Sequence, residues 1–178
     1  MLEPDMKEDF FWYLDGRYEK IRVMEELVIG KSRADMAAVL PDRLIGFEIK
    51  SNTDSYARLP NQIREYDKYF DYNYLVVGER HKRSAASHVP EHWGVICIPD
   101  VGNNIEVLRE ASHNRKAKLR RQLSLLWKSE LKSISISNDL FKYSSKSKAF
   151  VAKYLTEQLS AEVLKKQLCS ELFEREYD

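Results

Sequence analysis

Residues 47–55 read FEIKSNTDS, and within them Glu48 and Lys50 stand two positions apart on a strand-like run. Alternation on a strand puts both side chains on one face. A carboxylate beside an ammonium can be an ordinary solvated pair, or it can serve hydrolysis. In the second role the acid holds a divalent cation, and the lysine orients an attacking water or stabilises the developing oxyanion. Glu-X-Lys alone is weak, because 32% of the chain is charged and Glu130-Leu131-Lys132 repeats it inside a helical LLWKSEL run. The preceding strands decide whether other acids join it.

Residues 21–51 read as three strands, IRVMEELVI, RADMAAVL and RLIGFEIKS, separated by GKS and PD. If Pro41 and Asp42 are the central pair of a two-residue turn, Asp35 lies opposite Glu48, with Lys50 one diagonal away on the same face. If Gly30 and Lys31 form the preceding turn, with Gly at positive φ, Glu26 lies opposite Asp35. Three carboxylates then line up across three strands, about 4.5–5.5 Å apart between Cβ atoms. Like charges directly opposite destabilise a sheet, and Mg²⁺ would relieve the row. A three-residue loop at 41–43 would instead face Asp35 with Ile49 and turn the carboxylates apart. Glu25, on the other face of the first strand, is the rival of Glu26.

The remaining elements must hold this sheet. Residues 5–16 predict an amphipathic helix ended by Gly16, with Phe10, Phe11 and Leu14 inward. RLPNQIREYDKYFDY predicts a helix from Pro60 with Ile63, Tyr66, Tyr69 and Phe70 on its apolar stripe. YNYLVVGE, WGVICIPD and IEVLRE predict strands, with GNN as a turn between the last two. KLRRQLSLLWKSEL, 146–158 and 160–177 predict helices, with Ser160 as an N-cap. His81, His88 and His92 fall in the loop 80–92 without a Cys or carboxylate at zinc-ligand spacing.

RAD at 33–35, FEIK at 47–50 and QIREY at 62–66 together resemble the PD-(D/E)XK nuclease superfamily, and with HWG and LLW further on they resemble a small family of bacterial and phage proteins within it. The resemblance covers roughly residues 23–132. Ala34 departs from it, standing where the superfamily has Pro, and the literal Pro41-Asp42 reads as the turn. The resemblance implies an α/β fold with a restriction-endonuclease-like α-β-β-β-α-β core, a mixed sheet, additional strands and a helical C-terminal segment. It implies a Mg²⁺ site (Mn²⁺ substituting) on Asp35, Glu48, the Ile49 carbonyl and Glu26, with Lys50 catalytic. Gln62 and Tyr66 match the Q-x-x-x-Y element of the RecB-like branch and would assist, although Tyr66 equally fits the core. The expected activity is phosphodiester hydrolysis in nucleic acid, DNA foremost. The alternatives are an inactive nuclease-fold protein binding nucleic acid or a protein, and a structural α/β domain.

Bulk properties agree with such a protein without demanding it. The 178 residues, 43% hydrophobic, suit a nuclease-like domain over 1–133 with a helical extension over 134–178. Two cysteines make neither a disulfide framework nor a metal cluster, and no apolar run approaches a membrane span of about 18 residues. The start MLEPDMKEDFF lacks a signal pattern, so the expected location is the cytoplasm. Net charge is +1, but residues 1–79 balance to −5 and 80–133 to +6. Arg33 and Arg58 near the acids, and Arg120 and Arg121 in RKAKLRR, are candidate contacts to a nucleic-acid backbone.

Overall fold

The computed structural model describes residues 2–101 and 104–177. Its order begins with helix α1 (Glu3–Arg17), strands β1 (Arg22–Ile29), β2 (Ser32–Val39) and β3 (Leu44–Lys50), helix α2 (Leu59–Tyr69) and strand β4 (Tyr72–Gly78). Strands β5 (Gly94–Ile98) and β6 (Glu106–Arg109) follow. Helices α3 (Leu119–Leu123), α4 (Lys128–Ser137), α5 (Lys148–Gln158) and α6 (Ala161–Glu174) complete the chain. The expected α-β-β-β-α-β order is present. Of the GNN turn, Gly102 and Asn103 lie outside the described residues.

The six strands form one mixed sheet in chain order. β1–β2, β2–β3 and β5–β6 pair antiparallel, while β3–β4 and β4–β5 pair parallel. The α2 crossover makes the β3–β4 pairing possible, and residues 79–93 make the crossover from β4 to β5. Both turns have two residues. Met36 faces Phe47 and Val39 faces Leu44, with Leu40 N–H donating to the Arg43 carbonyl at 3.0 Å across Pro41-Asp42. Ile29 faces Ser32 across Gly30-Lys31, and Gly30 takes φ +59°, which a glycine adopts without strain. Extended past the paired residues, these registers align Glu26, Asp35 and Glu48, although no ladder pair forms at Glu26–Asp35 or at Asp35–Glu48.

Each sheet face carries its own core. Helix α1 covers one face with Met6, Phe10 and Leu14, which pack with Met36, Phe47 and Ile49; Phe11, expected inward, is only half-buried. Helices α2 to α6 cover the other, where Tyr66, Phe70, Leu75 and Val77 share a cluster with Leu126, Leu131, Leu155 and Leu168. Gly46 on β3 permits this contact, since a Cβ there would meet the Phe70 ring at 2.3 Å. A boundary after residue 133 falls inside α4, and the C-terminal helices share the core of the sheet.

One expected helix needs correction. The helix read through KLRRQLSLLWKSEL is two helices, α3 and α4, broken at Ser124–Trp127. At the break Trp127 is 43% exposed under the Arg175 guanidinium, 4.4 Å above its ring. Glu130 closes this break: its carboxylate accepts from the Trp127 N–H and from Arg175 at 2.7 and 2.6 Å. The second Glu-X-Lys is therefore a helix cap with a buried ion pair. Among the described residues no helix is long and apolar enough to cross a membrane.

Candidate metal and hydrolytic site

Strand β3 is buried along its whole length, Glu48 and Lys50 included. The solvated-face reading of FEIK therefore fails. Glu48 Oε1 is ion-paired with the Lys50 ammonium. Glu48 Oε2 is buried with no hydrogen-bond partner in the protein; the Tyr66 hydroxyl and Gln62 amide lie close enough to favour its charged form but do not bond this oxygen. A buried carboxylate oxygen without a donor is costly. Burial raises the Glu48 pKa, with Lys50 opposing the rise.

Asp35 stands where the β2–β3 ladder ends. Its Oδ2 accepts the Ile49 N–H at 2.7 Å, so the side chain continues the pairing that Met36 and Phe47 begin. Burial, then the Glu48 charge, pushes its pKa up to about 7, against the Ile49 N–H and the Lys50 charge. Behind both strands Tyr66 is fully buried. Its hydroxyl donates to the Phe47 carbonyl at 3.1 Å and accepts the Asp35 N–H at 3.2 Å. Tyr66, expected to assist the site and equally fitting the core, lies behind the strands and does not line the cavity described below.

Glu26 sits opposite Asp35 by register, but no ladder pair forms there, and its backbone takes φ +52°. A non-glycine residue held left-handed in a strand costs on the order of 1–3 kcal/mol. Its carboxylate meets Lys7 at 2.5 Å and Arg33 at 2.7 Å, and Lys7 also reaches Glu3 at 3.1 Å. The repulsion expected along the carboxylate row is thus partly relieved by cations of the chain itself.

Carboxylate oxygens of Glu3, Glu26 and Asp35 all lie within 4.8 Å of one another. Glu3 was not anticipated. Its signal lay in the α1 period, three residues before Met6 and seven before Phe10, on the stripe that faces the sheet. Glu48 lies outside this trio and is ion-paired with Lys50. An all-oxygen donor set of three carboxylates with the partnerless Glu48 Oε2 nearby suits Mg²⁺ or Mn²⁺. Histidine is no part of it: His81 and His88 pack against the Tyr56 ring, and His92 bonds Asp67.

One polar cavity of about 220 Å³ is lined by Glu3, Glu26, Arg33, Asp35, Glu48, Ile49, Lys50, Arg58 and Gln62 together with Ser32 and Asp54. The Asp54 carboxylate accepts the Ser51 N–H and hydroxyl at 2.7 and 2.6 Å and shapes the loop leaving β3. A second cavity of about 510 Å³ shares Ser32, Arg58 and Gln62 with the first and adds Lys31 and Arg64. Arg120 and Arg121 do not join either; they line a separate cavity beside α5, and α3 docks at the far end of α2 from Arg58.

The family model described as Bacteriophage P4 protein cII matches residues 1–178. No curated protein matches the chain. A solved structure, a protein of unknown function from Silicibacter pomeroyi, is similar at 18% identity with a TM-score of 0.46, over 69% of this chain and 83% of that one.

Proposed function

This chain belongs to the bacteriophage P4 protein cII family, and we propose that it is a divalent-cation-dependent nuclease that hydrolyses phosphodiester bonds in DNA. One observation carries the reading. Acids from α1, β1, β2 and β3, the fully buried Glu48 among them, converge with Lys50 and Gln62 on a single polar cavity, against the usual penalty for gathering like charges. The resemblance to PD-(D/E)XK nucleases supports the same assignment.

Asp35, Glu26 and Glu3 would hold the cation, with Glu48 and the Ile49 carbonyl beside it. The bound cation supplies charge neutralisation at a phosphoryl oxygen and a lower pKa for water. The chain does the rest. Lys50, freed from Glu48, holds the attacking water or the developing oxyanion through its ammonium. The water oxygen forms the new bond to phosphorus and gives up a proton to solvent, the bridging P–O bond breaks, and the leaving oxygen takes a proton from solvent. Gln62 orients Lys50 or the phosphate from the first turns of α2, and Tyr66 keeps β2 and β3 in register beneath them. In the adjoining cavity Arg58, Arg64 and Lys31 suit the phosphates flanking the cut.

A second reading, a nuclease-fold protein that binds nucleic acid or a protein without cutting, is favoured by the cations Lys7 and Arg33, which already neutralise Glu26. Incubation with Mg²⁺ or Mn²⁺ and single- or double-stranded DNA or RNA decides between them. Cleavage that chelation stops supports the first reading. Absence of cleavage on all four substrates, with retained binding, supports the second.

A further inference from the structure

The C-terminal helices carry a surface that the carboxylate site does not use. Lys118, Arg120, Arg121 and Lys148 line a cavity of about 800 Å³ between α3 and α5, whose wall holds no Asp or Glu. Some surface cations elsewhere find acids, Lys68 with Glu65, Lys82 with Glu106 and Lys166 with Glu162, whereas others such as Arg64 and Arg80 make no ion pair among the described residues. Among the described residues, none of these four makes an ion pair, and the Lys148 ammonium donates only to the Ser124 carbonyl at 3.0 Å. Unneutralised cations around one concavity are the complement of a polyanion.

Aromatic rings cluster on the other side of α5 from this cavity, where Tyr143 lines a separate pocket with Lys128 and Lys132. Tyr143 packs against Phe141, Phe150 and Tyr154 with ring centroids 4.6, 5.0 and 5.0 Å apart. Phe141 is 66% and Phe150 41% exposed, and the Lys146 ammonium lies 5.3 Å over the Phe150 ring. Residues 140–156 hold four lysines and no acid. Exposed rings interleaved with cations offer stacking surfaces for bases next to sites for phosphates.

We propose that the two sides of α5 together bind a single-stranded polynucleotide, with phosphates on Lys118, Arg120, Arg121 and Lys148 and bases stacked on Phe141 and Phe150 where the strand passes round the helix. A duplex keeps its base faces stacked internally and cannot use the rings. A membrane would need a continuous apolar face, and α5 spends its own on the core through Val151, Ala152 and Leu155. The surface is separate from the carboxylate cavity. Lys118 N–H bonds the Lys68 carbonyl in the last turn of α2, whereas Arg58 and Gln62 stand at its first turn.

Fluorescence anisotropy of labelled oligothymidine and oligouridine of about 16 nucleotides, in EDTA, reads binding without cleavage. Wild type binds the single strands more tightly than a duplex of equal length. Joint Arg120→Ala and Arg121→Ala weakens binding about tenfold or more and lowers the salt slope by about 1.4. Joint Phe141→Ala and Phe150→Ala weakens it at least about fivefold with the slope unchanged. Lys166→Ala, a charge deletion on α6, leaves affinity as in wild type. All substituted side chains are exposed, and unchanged thermal unfolding checks the fold. Wild-type affinity in both double variants, equal affinity for the duplex, or capture by phosphatidylserine vesicles without oligonucleotide binding overturns the proposal.

Discussion

The carboxylate of Asp35 accepts the backbone N–H of Ile49 at 2.7 Å, so an acid on β2 is fastened to the strand that carries Glu48 and Lys50. The bond fixes the distance between the two halves of the site. It also keeps Asp35 next to Glu48 in a half-buried place, and its proton affinity rises for that reason.

Asp35 therefore makes the metal-free fold sensitive to pH. Its folded pKa is about 7, against about 3.9 in an unfolded chain. Between these values the folded state holds more protons, so stability falls as pH rises from about 4 through 7, by up to about 4 kcal/mol from this group. Urea unfolding in EDTA at pH 5 and pH 8 should show that loss in wild type and a flatter dependence in Asp35→Asn. Equal slopes in the two proteins would exclude Asp35 as the cause.

Tyr66 is expected to act on structure rather than on chemistry. Tyr66→Phe leaves the Phe47 carbonyl without its hydroxyl donor and the Asp35 N–H without its acceptor. The expected cost is about 1–3 kcal/mol of stability, with cleavage within about tenfold of wild type below the unfolding temperature. A loss of activity as deep as that of Lys50→Ala, in a protein unfolding at the wild-type temperature, would make Tyr66 catalytic.

Glu3 reaches the site from α1, within 4.8 Å of Glu26 and Asp35. Glu3→Gln keeps the size of the side chain and removes one anionic ligand. Titration calorimetry with Mn²⁺ should show affinity reduced by about tenfold or more, the effect of losing a supporting group at a metal site. Unchanged affinity would leave Glu3 as a partner of Lys7 alone.

The buried pair of Glu130 and Arg175 ties the end of the chain to the α3–α4 break. Arg175→Met strands the Glu130 charge and should cost about 3–5 kcal/mol. Adding Glu130→Leu to Arg175→Met should recover a large part of it. Additive losses in the double variant would show that the two residues do not act as a pair.

Local rules made the sheet half of the site legible. Gly30-Lys31 and Pro41-Asp42 each fix a two-residue turn, and turn length alone sets which residues face each other, so Glu26, Asp35 and Glu48 could be aligned from the chain. Glu3 was hidden because its approach depends on how α1 lies over Phe47 and Ile49, a contact of long sequence separation. The break between α3 and α4 was hidden because the apolar period runs unbroken through Leu123, Leu126 and Leu131, while the Arg175 that supports the break lies more than forty residues on. The role of Tyr66 was hidden for a similar reason. Its ring sits on an apolar stripe, and only the assembled strands give its hydroxyl two backbone partners.

The most direct test is cleavage of single- and double-stranded DNA with Mn²⁺ by wild type, Asp35→Ala, Glu48→Ala and Lys50→Ala, each with its circular dichroism checked. The account predicts metal-dependent cleavage by wild type and a loss of about a hundredfold or more in every variant, of the size seen when one electrostatic stabiliser of a transition state is removed. Cleavage that survives Lys50→Ala or Asp35→Ala in a folded protein would contradict it.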